Sequence, residues 1–468
     1  MGHRIERDFL GERQIPDHIY YGVQTLRGIE NFHITGVPIS NEPYFIQSFG
    51  YVKKAAALTN RDLGRLSAEK TQAIAAACDR LIAGEFLDQF PTDMIQGGAG
   101  TSTNMNVNEV IANVALESLG HAKGDYQHLS PNDDVNCSQS TNDAYPTAFR
   151  IALIRRLGSY SKSLELLSQA CQTKGDELTR VLKMGRTHLQ DAVPMTMGQE
   201  FRGFATTLTE ELARIEDSKG LLSEINMGAT AIGTKVNAPE GYPERVVEHL
   251  RALTGLDLKL AVDLVEATSD TGAYVQLSGV LKRTAVKLSK ICNDLRLLSS
   301  GPRTGFNEIN LPQLQPGSSI MPGKVNPVIP EVVNQAAFFV MGADLTVTLA
   351  ASAGQLQLNV MEPVISFSLF SSIKAMENAV NALREKCIVG ITANAERTHD
   401  MVLNSLGIVT LLSPILGYKQ CSEIAREGYQ QNKSIHQIVV VERGLLTQAR
   451  WEQIFSLENL IAPHFVAP

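Results

Sequence analysis

Thr147-Ala148-Phe149-Arg150-Ile151-Ala152-Leu153-Ile154-Arg155-Arg156-Leu157-Gly158-Ser159-Tyr160-Ser161-Lys162-Ser163-Leu164 opens a stretch, residues 147–193, that contains no proline. Proline inside a helix removes an N–H and clashes with the preceding turn, at about 3 kcal/mol, so a long run without it leaves room for a long helix. Leu153, Leu157, Tyr160 and Leu164 recur at spacings of four and three and share one helical face. Residues 195–238, 244–301 and 364–413 are also free of proline, whereas 302–330 hold six of the 19. Long helices packed as a bundle are the economical reading, an all-α fold class. Strand signals are weak: aromatic content is 6%, and no series of alternating segments with hairpin turns is visible. All-β and doubly wound architectures are disfavoured.

Working outward, the whole chain has 468 residues, is 44% apolar, and sets 42 Lys and Arg against 49 Asp and Glu, a formal charge of −7. That is an ordinary globular composition with no basic block, so neither nucleic acid nor an anionic membrane is an expected partner. Residues 1–13 lack an apolar core for a secretory signal, and Glu6 breaks the myristoylation pattern that begins at Gly2. The longest charge-free apolar stretch, residues 401–418, contains Asn404, Gly407, Pro414 and Gly417 and reads as a buried helix and turn. Six cysteines lie far apart with no CxxC pair, which fits reduced thiols and a cytoplasmic location. There is no HExxH, GxSxG or Cys–His ligand spacing, so no metal and no cofactor is expected.

Four polar clusters interrupt the helical pattern. In Gly97-Gly98-Ala99-Gly100-Thr101-Ser102-Thr103-Asn104-Met105-Asn106-Val107-Asn108, glycines precede a helix with Thr101 or Ser102 near its N-cap, a geometry that favours an anion. A plain capped helix is the competing reading; the three asparagines, poor helix formers, tilt toward a functional face. In Asn136-Cys137-Ser138-Gln139-Ser140-Thr141-Asn142-Asp143-Ala144-Tyr145-Pro146, five consecutive small polar residues open the long helix, although a cap needs one. Gly185-Arg186-Thr187-His188-Leu189-Gln190-Asp191 leads to Thr196 and Gln199, a capping box, so 185–195 is expected as a loop between helices. The fourth cluster is Pro316-Gly317-Ser318-Ser319-Ile320-Met321-Pro322-Gly323-Lys324-Val325-Asn326-Pro327. It fails as a phosphate loop, because five residues separate its glycines and valine follows the lysine. Gly317 and Gly323 suggest hinges of a lid. Together these clusters suit a small, multiply anionic substrate.

The Gly317–Pro327 loop resembles the signature of the aspartase/fumarase superfamily, and the other clusters follow in that family's order. Within it the aspartase branch is the nearer match, on Gln96-Gly97-Gly98-Ala99-Gly100-Thr101-Ser102, Ser140-Thr141-Asn142-Asp143-Ala144-Tyr145 and Asn359-Val360-Met361-Glu362-Pro363-Val364. The resemblance implies a three-domain fold, with an N-terminal domain at 1–141, a central helix bundle at 142–395 and a small C-terminal domain at 396–468. It implies a homotetramer with a twenty-helix core and active sites shared among three subunits. The implied activity is that of a carbon–nitrogen lyase: reversible deamination of L-aspartate to fumarate and ammonia through Cβ proton abstraction and an aci-carboxylate intermediate. Fumarate hydratase, or another fumarate-releasing lyase, is the alternative.

By the same resemblance Ser318 is the base, with Lys324 and His188 as the other catalytic groups. Thr101, Ser140, Thr141 and Ser319 hold the β-carboxylate, Lys324, Asn326 and Thr187 the α-carboxylate, and Asn142 and His188 the amino group. A serine is a poor base, so loop N–H groups and a cation such as Lys324 would have to favour its alkoxide.

Overall fold

The computed structural model describes residues 2–461 and is built mainly of helices. The longest are Thr141–Glu177, Met197–Leu222, Gly272–Leu298, Val328–Ser352 and Glu362–Lys386. Four of them occupy the proline-free runs. The fifth starts inside the proline-rich segment and keeps Pro330 in its first turn, where no intrahelical N–H partner is lost.

Buried polar stitches join the long helices in pairs. Ser278 donates to Asp344 at 2.8 Å, and Asn334 donates to the Ser289 hydroxyl at 2.8 Å, tying Gly272–Leu298 to Val328–Ser352. Ser168 meets Thr209 at 2.8 Å between the first two long helices, and Asn381 donates to Ser163 at 3.1 Å between the first and last. A bundle of this kind needs register as well as apolar area, and paired polar groups supply it.

The chain divides into two compact units. One comprises residues up to Ser161 with Ala213–Arg283 and Phe338–Met376; the other comprises Lys162–Leu212, Thr284–Ala337 and the chain from Glu377 on. Each of the five long helices begins in one unit and ends in the other, Met197–Leu222 crossing the boundary at Ala213. The first unit is centred on an aromatic cluster: Phe45 meets Tyr145 edge-on at 5.2 Å, and Phe149 lies 4.6 Å from Tyr274 and 5.3 Å from Phe370. In the second unit Leu182 and Met184 share a buried cluster with Val402, Ile408, Leu412, Ile424 and Trp451. Residues 401–418 are broken into short helices at the glycines and proline, with Val402, Ile408 and Leu412 packed inward and most of the remaining residues half-buried or exposed.

Strands occur only as small ribbons among the described residues. His3–Asp8 pairs with Gly11–Pro16, and Leu182–Thr187 pairs with Gln190–Thr196, both antiparallel. The second ribbon occupies the segment expected as a loop. Its turn residues, His188 and Leu189, both have positive φ, 54° and 60°, as a two-residue primed hairpin turn requires. Neither is the Gly or Asn that usually marks such a turn, which is why the sequence hid it. The capping box after it forms as expected: Thr196 N–H donates to the Gln199 side chain at 2.9 Å, and Gln199 N–H donates to the Thr196 hydroxyl at 3.1 Å.

Candidate functional site

In the first unit, the helix Thr101–Ser118 starts directly after Gly100. Gly100 is the cap residue, one position before the expected Thr101 or Ser102, because φ there is +90° and a Cβ would enter the Tyr145 ring. Thr101 is exposed and donates its hydroxyl to the Gly98 carbonyl at 2.7 Å. The three asparagines behind it are buried and structural. Asn104 donates to Asn136 at 3.1 Å and to the Thr141 hydroxyl at 3.2 Å, Asn106 to the Gln89 carbonyl at 2.9 Å, and Asn108 to Asn136 at 3.1 Å.

At the centre of this network is a residue the sequence reading passed over. Lys53 is 0% exposed, and its ammonium donates to Asn104 at 2.7 Å, Gln139 at 2.9 Å and Asn136 at 3.1 Å. Burial pulls it down to about 7, yet three acceptors for three hydrogens are an arrangement that only the charged form satisfies. The one available signal was a lysine inside the apolar run Tyr51-Val52-Lys53-Lys54-Ala55-Ala56-Ala57.

The start of the helix Thr141–Glu177 is shaped from outside. Buried Asp143 accepts the N–H groups of Ser140 at 2.9 Å, Thr230 at 2.9 Å and Gly228 at 3.1 Å. Burial raises its carboxyl to about 6 against those donors. Pro146 lies six residues into the helix and gives the Asn142 carbonyl no partner; Asn226 supplies one, donating at 3.0 Å. Asn142 in turn donates its side chain to the Ala231 carbonyl at 2.7 Å, and its N–H to the Ser140 hydroxyl at 3.2 Å. Ser140, Thr141 and Asn142 remain half-buried.

In the second unit, Thr187 and His188 are exposed at the tip of the ribbon. Its base is fixed by ions: Lys183 pairs with Glu200 at 2.6 Å and Glu308 at 3.1 Å, and Arg186 pairs with buried Glu308 at 2.5 Å while lying 4.3 Å from the Phe306 ring centre. Arg186 thus anchors the tip that presents His188.

The serine loop closes on itself. Gly317 N–H donates to the Lys324 carbonyl at 2.7 Å, and Asn326 donates one amide hydrogen to the Gly317 carbonyl at 2.8 Å. A Cβ on Gly317 would stand 2.8 Å from that Lys324 oxygen, so the approach needs glycine. Gly317, expected as a hinge, is therefore a fixed point of the closure, whereas Gly323, with φ +81°, has open space around it. Ser318 Oγ accepts two backbone N–H groups, from Met321 at 3.0 Å and Ile320 at 3.2 Å. Ser319 and Lys324 are exposed, and a cavity of about 190 Å³ opens beside Asn326, lined also by Ser299, Asn307, Asn310 and Gln313.

Thr101, Ser140, Thr141 and Asn142 thus belong to one unit, Thr187, His188, Ser318, Ser319, Lys324 and Asn326 to the other. Among the described residues no hydrogen bond joins the ribbon tip to the serine loop. The first unit offers hydroxyls and an amide, and the second hydroxyls, an amide, an ammonium and an imidazole, donor types matched to carboxylates.

A family described as lyase matches residues 11–342, and one described as the fumarase C C-terminus matches residues 408–462. Aspartate ammonia-lyase from Pseudomonas canavaninivorans is 58% identical over 99% of this chain and 98% of its own length. Among solved structures, a fumarate lyase:delta crystallin from Brucella melitensis, bound to cobalt, superposes with a TM-score of 0.95 at 50% identity, covering 98% of this chain and 99% of the other. A class II fumarase from Schistosoma mansoni gives a TM-score of 0.92 at 34% identity, covering 99% and 100%.

Proposed function

Because the chain belongs to the aspartase branch of the aspartase/fumarase superfamily, we propose that it catalyses the reversible deamination of L-aspartate to fumarate and ammonia. The observation that carries the site assignment is the pair of backbone N–H groups aimed at Ser318 Oγ. Fixed donors at a hydroxyl oxygen favour its alkoxide without any reorganisation during the reaction. The Ser318 alkoxide takes the Cβ proton, and the C–H electron pair moves into the β-carboxylate as an aci-carboxylate. Return of that pair expels ammonia from Cα and leaves the double bond of fumarate.

The remaining roles follow from donor type. Thr101, Ser140, Thr141 and Ser319 stabilise the aci-carboxylate, Lys324, Asn326 and Thr187 bind the α-carboxylate, and Asn142 and His188 hold the departing amine. Lys324 adds the cation that favours the alkoxide.

Assembly completes the site in this reading. Val328–Ser352 exposes Val332, Phe338, Phe339, Leu345 and Leu349, and only 28% of its most apolar window is buried within the chain. A row of that kind calls for cover, and copies of the same bundle provide it. Five long helices per chain give twenty in a homotetramer, with sites shared among three subunits. The domain division 1–141, 142–395 and 396–468 and a cytoplasmic location belong to the same proposal; six free thiols suit a reducing compartment.

The test is fumarate absorbance during incubation with L-aspartate, with Ser318→Ala and an L-malate reaction in parallel. Fumarate from aspartate and its loss in the variant are expected. Fumarate from malate alone would move the chain to the hydratases, and an active monomer in light scattering would sink the shared site.

A further inference from the structure

The turn after the helix Thr101–Ser118 reads His121-Ala122-Lys123-Gly124-Asp125-Tyr126-Gln127-His128. One ligating atom from each of His121, Asp125 and His128 lies within 4.8 Å of the other two. Asp125 Oδ2 is 3.6 Å from His128 Nε2 and 4.0 Å from His121 Nδ1, too far for hydrogen bonds and close to the spacing of ligands around one ion. Bonds of about 2.1 Å to a tetrahedral centre put ligand atoms roughly 3.4 Å apart. Among the described residues these three side chains make no hydrogen bond, so their lone pairs are uncommitted.

The backbone that carries them is held from below. Gly124 N–H donates to buried Asn113 at 2.7 Å, and His121 N–H donates to the Leu116 carbonyl at 2.9 Å. The Tyr126 hydroxyl accepts from Asn113 at 3.0 Å and donates to buried Glu6 at 3.1 Å. Lys123, the one cation in the turn, is engaged elsewhere, donating to the Asp17 carbonyl at 3.0 Å and lying 3.9 Å from the Tyr20 ring centre. The turn is thus a fixed platform with three free donors on its surface.

We propose that His121, Asp125 and His128 form a binding site for a divalent transition ion such as Zn²⁺, Co²⁺ or Ni²⁺. Two imidazoles and one carboxylate select this class over Mg²⁺ and Ca²⁺, which take oxygen donors. Three protein ligands leave a position for water. The two rings are stacked, 3.9 Å between centres and 14° between planes. An imidazole lone pair lies in the ring plane, so binding rotates at least one ring out of the stack about a side-chain bond. The ion ties residue 121 to residue 128 and braces the turn.

The test is titration of the chelator-treated full-length protein with Co²⁺, read by visible d–d absorption, and with Zn²⁺, read by calorimetry. One ion per chain is expected. Asp125→Asn should weaken binding roughly tenfold or more, and His121→Ala with His128→Ala should abolish the Co²⁺ band. Fumarate production by these variants should match the parent, which shows that they are folded. Equal Co²⁺ binding by the parent and the double variant, less than one ion per chain, or displacement of Co²⁺ by equimolar Mg²⁺ would each overturn the assignment.

Discussion

The proposed donors at Thr101 and Ser140–Asn142 and the proposed base, Ser318, are held in opposite ways. The first set stands on a buried network in which Lys53, Asp143 and three asparagines have their partners inside the fold. Ser318 stands on a loop exposed from Ser319 to Val325 and closed by its own backbone and by Asn326. Groups that must stabilise charge at a fixed place gain from rigidity, and a base that must admit substrate gains from a support that can shift as a piece. The two regions should therefore fail differently: damage to the network costs stability and activity together, damage to the loop costs activity alone.

The largest effect is expected at the loop. Ser318→Ala should lower kcat by about 10³-fold or more with an unchanged melting temperature, measured by fumarate absorbance and calorimetry. At the network, Lys53→Met leaves the amide oxygens of Asn104 and Gln139 without their donor. It should lose about 2–4 kcal/mol in denaturant unfolding, with activity falling in the same samples. An intact melting temperature in Lys53→Met would remove the contrast between the regions.

A matched pair of glycines sharpens it. Gly100→Ala forces a methyl into the Tyr145 ring at a positive φ and should lower the melting temperature by several degrees or prevent folding. Gly317→Ala meets the Lys324 carbonyl on the exposed loop and should lower kcat by about tenfold at nearly unchanged stability.

The smallest effect concerns pH. Burial raises the Glu362 carboxyl, 8% exposed and in the same unit as the network, from 4.5 to about 8 against the attraction of Arg150. The folded state then holds a proton that the unfolded chain releases, so this group makes stability fall as pH rises from about 4.5 to 8. Glu362→Gln should flatten the melting-temperature profile across that window, whereas Ser318→Ala should leave its slope unaltered.

Much of this was legible in the chain. Absent prolines located four long helices, since proline is the residue a helix interior tolerates least. The fifth escaped because it begins among prolines and admits Pro330 in its first turn. The ribbon at 182–196 escaped because His188 and Leu189 adopt left-handed backbone without glycine. The four clusters were visible as unusual polar runs, yet the asparagines at 104, 106 and 108 turned out to be stitches inside the fold. Lys53 could not be found, because a lysine in an apolar run looks the same whether its head reaches water or three amide oxygens. Spacing along a helix reports which face a residue occupies; it does not report what waits on that face.

The amide of Asn226 on the carbonyl that Pro146 strands has a temporal meaning. A proline so near the helix start makes the Ser140–Asn142 turn dependent on a residue 84 positions downstream. While the chain is being made, the helix from Thr141 can coil as soon as it emerges, but its polar mouth acquires its final shape only when Asn226 arrives. The proposed donors at this helix start thus wait on chain that has yet to be made when the helix first coils.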